Sequence, residues 1–338
     1  MVRLTTERRR MAAGQADSGR RGEFELIAAI LAPLTGGDPR ALGLTDDAAV
    51  LPQTTGTDTV VSTDTMVAGI HFLMSENPDI IARRLLRVNL SDIAAMAAKP
   101  AGYFLNLTVP AETGNDWLER FTSGLAEDQR EFGLTLLGGD TTHTTGPLTL
   151  SVTMFGEAPS GAAMRRSAAK PGDIVFVSGT IGDAGLGLSR LLENRSTDDA
   201  LVRRYQLPTP RTELGPALRG IANAMADVSD GLVADLGHIC AASGVAATVR
   251  ADAVPLSEEA RAGLAGGKTD IGFLLTSGDD YELVFAVSPG RTNDVLAAAA
   301  RVNVPISEIG QVGEGEGVAV LDAQGVDISP EIGGYRHF

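Results

Sequence analysis

PDIIARRLLRVNLSDIAAMAAKPAGYFLNLTVP, residues 78–110, sets a long helix directly before a strand. Pro78 suits the first helical position and Pro100 stops the run, so the spacing predicts a helix over 78–98. GYFLNLTVP then reads as a strand. Upstream, EFELIAAILAPL repeats apolar residues at helical spacing and stops at Pro33 and the Gly36–Gly37 pair, and TVVSTD (59–64) reads as a buried strand. Downstream, DWLERFTSGLAEDQREFG is a helix ended by Gly133, LTLLGGD a strand running into a glycine turn, and PLTLSVTMFGEA a further strand. Strands and helices follow one another without a strict βαβ beat. That order points to an α+β fold of mixed sheets packed with helices rather than a doubly wound sheet.

Around GEAPSGAAMRRSAAKPGD (156–173) the composition turns to Gly, Ala, Pro and Arg, as at a domain junction. Beyond it DIVFVSG, GVAATVR, YELVFAV and ISEIGQV read as strands, and AGLGLSRLLEN, LGPALRGIANAM and SDGLVADLGHICAAS as helices. The 338 residues suit two domains at roughly 150 residues each. The expected division is a disordered N-terminal extension (1–21), a first domain (22–160) and a second (161–338).

Forty-three acidic residues against 28 basic ones give a formal charge of −15, which argues against a nucleic-acid binder. Cys240 is the only cysteine, so neither an intramolecular disulfide nor a cysteine zinc site is available, and a reducing cytoplasm is expected. The Arg-rich opening MVRLTTERRRMAAGQADSGRR lacks the apolar centre of a signal peptide. No apolar run approaches the ~18 residues of a membrane span.

GLTDDAAV (43–50) places Asp46 and Asp47 side by side with no neutralising base nearby. It is one of six stretches that join a carboxylate to Ser, Thr or Gly, the others being STDT (62–65), NLSD (89–92), GGDTT (138–142), DVSDG (227–231) and SGDDYE (277–282). A single Asp in such a place usually caps a helix; six sites with few bases near them suggest a hard cation. Carboxylates around Mg²⁺ are also how an acidic site accepts an anionic polyphosphate. Gly138 and Gly139 permit close backbone approach, and Ser229 and Asp230 open a helix whose amides favour anions. The Arg165–Arg166 pair, in a Gly/Ala-rich loop, reads equally as a fork for phosphate or a solvated pair. His71 follows STDT closely; His143 reads as a surface residue and His238 as packing, and His337 is unassigned.

Two glycine-rich stretches mislead. GLAGGKT (263–269) is one residue short of a phosphate loop and follows no strand, and SGTIGDAGLGL (178–188) spells GxxGxxG rather than GxGxxG. Packing of a helix start on a strand explains the latter.

GEFELI, DDAAV, STDTMVAGIHF, NLSDIAAMAAKP, GGDTT, RRSAAKPGD, DVSDGLVADLGHI, DDYELVF and GYRHF, in this order over nearly all of 22–338, resemble the thiamine-monophosphate kinase family, within the aminoimidazole-ribotide synthetase-like superfamily. The resemblance implies a two-domain α+β fold and a homodimer paired through the N-terminal domains. It also implies ATP- and Mg²⁺-dependent phosphorylation of thiamine monophosphate to the diphosphate, the last step of that biosynthesis, by direct in-line transfer without a covalent nucleophile. On the matching positions it implies magnesium ligation by Asp47, Ser62, Thr63, Asp64, Asp92, Asp140, Asp227 and Asp230. Gly139, Asp140, Arg166 and Ser229 would contact ATP, and His71, Asp279 and Tyr335 thiamine monophosphate. Thr45 stands where the family reads Gly, and SGDDYEL where it reads GGEDYEL. A sister enzyme of the superfamily is the alternative, the selenophosphate branch being disfavoured because Cys240 sits in a late helix. A non-catalytic metal and nucleotide binder would not need so many carboxylates, and a dehydrogenase lacks its glycine fingerprint.

Overall fold

The computed structural model describes residues 23–45, 48–52, 54–193 and 199–335. The extension 1–21, expected to be disordered, lies outside the described residues, as do Asp46 and Asp47. The first sheet has the strand order β1 (Thr57–Val67), β4 (Thr149–Pro159), β2 (Lys99–Pro110), β3 (Leu136–Thr144). β4 runs antiparallel to β1 and β2, whereas β2 and β3 are parallel. A parallel pair needs a crossover, which α2 (Asn115–Phe132) supplies; α1 (Pro78–Ala95) joins β1 to β2.

Alternation sorts this sheet into two faces. Leu150, Val152 and Met154 of β4 and Leu105 and Leu107 of β2 point into a core shared with α1 and α2. Val61, Phe104, Asn106, Ser151, Thr153 and Phe155 occupy the opposite face. Gly124 lets α2 close on α1: a Cβ there would lie 2.3 Å from the Asp79 carbonyl oxygen.

The second sheet has the order β10 (Gly317–Leu321), β7 (Ala246–Arg250), β9 (Ile306–Gly313), β5 (Ile174–Ser178), β8 (Leu283–Val287), β6 (Ala224–Asp227). All its pairs are antiparallel except β10–β7. Further helices are α3 (Asp183–Leu192), α4 (Ala200–Gln206), α5 (Leu232–Ser243), α6 (Glu258–Ala265), α7 (Ile271–Thr276) and α8 (Thr292–Arg301). One face of the sheet packs on Leu232, Leu236 and Ile239 of α5. On the other face, Phe176, Met225 and Phe285 meet Val295 of α8 and also Ala94 and Ala95, the end of α1. Helix α1 therefore belongs to both cores.

Three expectations are corrected. EFELIAAILAPL is helical but irregular: an α turn over Glu23–Leu26 loosens to a π turn at Ile27–Leu31 and tightens to 3₁₀ at Ala32–Thr35, around Pro33. LGPALRGIANAM is helical only over Leu214–Ala217; Gly220 at φ +68° breaks it, and the buried run Ala224–Asp227 becomes β6. LTLLGGD does not turn at its glycines, because β3 runs straight through them. A Cβ on Gly139 would lie 1.8 Å from the Leu105 carbonyl oxygen, so glycine there permits strand pairing. Among the described residues no helix is long and apolar enough to cross a membrane.

Candidate active site

Arg84, Val88 and Asp92, spaced by four residues, form one stripe of α1 and line a cavity of about 380 Å³. Asp64 of β1 and His71 enter from the same half of the chain. The second half contributes Asp227, Ser229 and Asp230 from the end of β6, Asp279 and Tyr281 from the loop before β8, and Tyr335.

Carboxylates crowd one wall. Ser62 Oγ donates to Asp92, and Ser91 Oγ donates to Asp227 Oδ2 at 2.8 Å. Burial, and next the charge of Asp92, push Asp64 up to about 7. Burial also raises Asp92, against Ser62 and the charge of Arg166, and it raises the buried Asp227, with Asp92 adding to the effect. Among the described residues no basic side chain forms an ion pair with these three acids; the cavity's Arg84 pairs with Asp279 instead. Like charges in this setting either take up protons or wait for a cation. Half-buried and buried carboxylate oxygens with no ion-paired base fit a hard divalent ion.

A second cavity, of about 680 Å³, is lined by Ser62, Arg165, Arg166 and Ser167, and again by Asp92 and Asp227. The two acids thus face both cavities. A third, of about 640 Å³, lies at the β2–β3 edge and holds Asn106, Gly139 and Asp140, with Thr45 and Ala48 on its rim.

The loops of the second half are tied together through their backbones. Asp279 N donates to Ser229 O and Tyr281 N to Val228 O, both at 2.8 Å, and Tyr335 N donates to Asp230 O at 3.0 Å. Asp279 (φ +63°) and Tyr281 (φ +51°) adopt the left-handed conformation, which costs L residues about 1 kcal/mol or more each. Alternation through SGDDYE turns Asp279 and Tyr281 to the cavity and Asp280 and Glu282 inward. Asp280 accepts from the Gly182 and Ala184 amides at the start of α3, while Glu282 holds Arg204, Arg211 and Ser178. His71 Nδ1 accepts from Val67 N at 3.0 Å, which assigns the ring proton to Nε2.

A family model described as AIR synthase related protein, N-terminal domain, matches residues 45–158, and its C-terminal counterpart matches 170–323. A thiamine-monophosphate kinase of Caulobacter vibrioides is 49% identical over 319 residues, covering 93% of this chain and 90% of that protein. The chain belongs to the thiamine-monophosphate kinase family. Among solved structures of the family, that from Stenotrophomonas maltophilia K279a matches with a TM-score of 0.80 at 41% identity, covering 88% of this chain and 96% of the other. AaThiL complexed with AMPPCP and TMP matches with a TM-score of 0.76 at 31% identity, covering 94% and 97%.

Against the motifs of this family, the structure brings Asp64, Asp92, Asp227, Ser229, Asp230, His71, Asp279 and Tyr335 onto one cavity, and Ser62 and Arg166 onto the cavity adjoining it. Thr63, Gly139 and Asp140 are elsewhere. Pairing sets Asp140 in the row Thr65–Ser151–Asn106–Asp140, on the face turned away from α1, and Thr63 faces the same way. Asp47 lies outside the described residues. The amides of 229–231, read above as an anion site, are taken by the chain's own Asp235, whose Oδ2 accepts from Ser229 N, Asp230 N and Gly231 N at 2.9–3.2 Å. His238, read as packing, is exposed, with a ring nitrogen within 4.8 Å of carboxylate oxygens of Asp230 and Asp235. Sequence reasoning missed Arg84, Tyr205 and Tyr281, which line the first cavity, and Asp235. Of these, Arg84 carried a usable signal, being eight residues from Asp92 on the same helical stripe.

Proposed function

We propose that the chain catalyses the ATP-dependent phosphorylation of thiamine monophosphate to thiamine diphosphate. Thiamine monophosphate would occupy the His71–Asp279 cavity, with the triphosphate entering from the Arg166 side. The observation that carries this reading is the wall of Asp92 and Asp227, common to both cavities, because transfer between two phosphates needs donor and acceptor to meet at one anionic-ligand site. The AMPPCP and TMP complex of a 31% identical relative supports both ligands.

Ser62, Asp64, Asp92, Asp227 and Asp230 are proposed to hold Mg²⁺, with Asp47, Thr63 and Asp140 as further candidates. When bound, the ions offset repulsion between the two phosphates. Arg166 supplies a guanidinium for the donor phosphates and Ser229 a hydroxyl. His71 offers an Nε2–H donor, Asp279 a carboxylate for the cationic acceptor, and Tyr335 a ring for stacking. No side chain need act as a nucleophile, since alignment and charge suffice for in-line transfer.

Residues 22–160 and 161–338 are taken as the two domains, and the cytoplasm as their setting. The position of Asp140 and Thr63 away from the main cavity, beside Val61, Phe104 and Phe155, supports a homodimer paired through that sheet face. The test of the reaction is purified protein with ATP, Mg²⁺ and thiamine monophosphate, with product followed by chromatography. Metal-dependent formation of the diphosphate is expected, and none from free thiamine. Failure to form it while ATP still binds would move the reading to a sister enzyme.

A further inference from the structure

Arg84 is the guanidinium on a cavity wall that carries five carboxylates, from Asp64, Asp92, Asp227, Asp230 and Asp279. A cation in such a place invites the reading that it grips the substrate's phosphate. Its contacts say otherwise. Its side chain is only 3% exposed, and the guanidinium lies 4.0 Å from the centre of the Tyr205 ring. Nη1 donates to the Tyr205 carbonyl oxygen and Nη2 donates to Asp279 Oδ1 at 2.8 Å. Stacking and two directed bonds fix the group and leave it little reach.

Its partner is placed differently. Asp279 is 30% exposed and lines the cavity. Both bonds to its carboxylate fall on Oδ1, from Arg84 and from the Tyr281 hydroxyl at 3.2 Å. Among the described residues no donor is bonded to Oδ2. The Asp279 backbone, left-handed at φ +63°, is held from below by the bond of its N–H to Ser229 O. The carboxylate is therefore fixed at both ends, by its own half of the chain through the backbone and by α1 of the other half through Arg84.

We propose that Arg84 is the positioning residue of the acceptor pocket: without touching substrate, it holds Asp279 across the junction of the two sheets so that one carboxylate oxygen meets the cationic acceptor. The inference rests on the reading of the cavity as the thiamine monophosphate site. It assigns to an ion pair between the two halves the task of setting acceptor affinity, separately from the ATP side.

Steady-state kinetics on Arg84→Met, Arg84→Lys, Asp279→Asn and the Met/Asn double variant, varying thiamine monophosphate and ATP in turn, test it. Arg84→Met is expected to raise KM for thiamine monophosphate about tenfold, equivalent to about 1.4 kcal/mol, with kcat and KM for ATP within twofold of wild type. Arg84→Lys, which keeps a cation but neither the stacking nor both directed bonds, should recover part of that loss. The double variant should be no worse than the poorer single one, because both remove the same contact. Losses that multiply in the double variant would overturn the inference and make Arg84 a direct ligand of substrate. Equal damage to both KM values, with no rescue by Lys, would overturn it in favour of a role in folding. Should Arg84→Met fail to fold, Tyr281→Phe removes the second donor to Oδ1 and should raise KM for thiamine monophosphate two- to threefold, leaving ATP unaffected; no change would count against the inference. A wild-type protein inactive on thiamine monophosphate would instead defeat the functional reading itself.

Discussion

Asp64 concentrates the electrostatics of the site. Burial and the neighbouring Asp92 raise its folded value to about 7 from an ordinary 3.8. A group raised on folding contributes stability through its neutral form, in full below about 3.8, and that contribution disappears as the pH climbs through about 7. In chelator, the wild-type protein should therefore lose stability between pH 5 and pH 8 more steeply than Asp64→Asn, which has nothing to ionise. Urea midpoints at the two pH values would check this, and parallel decline in both proteins would contradict it. The same variant should lose activity by about 100-fold or more if Asp64 is a metal ligand, with its fold intact by circular dichroism. Turnover at the wild-type rate would remove Asp64 from the working site.

At the scale of elements, close approach between glycine and backbone does much of the positioning. Gly124→Ala would drive a methyl group against the Asp79 carbonyl, 2.3 Å away, and should cost about 1–3 kcal/mol by forcing α2 off α1. Thermal unfolding would read this as a fall of several degrees, and an unchanged midpoint would mean the helices part without cost. This scale also marks where the sequence could be read and where it could not. Strands with regular apolar content, such as Ile174–Ser178 and Leu283–Val287, and helices bounded by Pro78 or Gly133, are legible because local pattern and tertiary fate agree. Ala224–Asp227 is not, because a four-residue buried strand has no period of its own and follows a helix-favouring stretch. The motif residues of the site were legible as types and order. Their partition between the two faces of one sheet was not, since it depends on which residues pair across four strands. Nor was the use of the 229–231 amides by Asp235, because a helix opening looks the same whether its anion comes from outside or from the next turn.

For the whole molecule, the outward face of the first sheet is the surface that presents apolar side chains away from α1. Val61 is 55% exposed there, beside Phe104 and Phe155, which meet edge to face at 5.5 Å. An apolar strand surface of this kind is commonly buried against a partner. Val61→Glu should convert the proposed dimer to monomer in sedimentation velocity and reduce activity together with it, because Asp140 and Thr63 share that face. A monomeric variant with full activity would separate assembly from catalysis.

Helix α1 carries Arg84 toward Asp279 and Asp92 toward the carboxylate wall, while its last turn is embedded in the other core. It works as a ruler with both ends clamped. Each added residue turns a helix by about 100° and lengthens it by 1.5 Å. A single insertion between positions 84 and 92 would thus rotate one mark off the scale while the other stayed in register. Drift in this gene can change the letters along α1 far more freely than it can change their number.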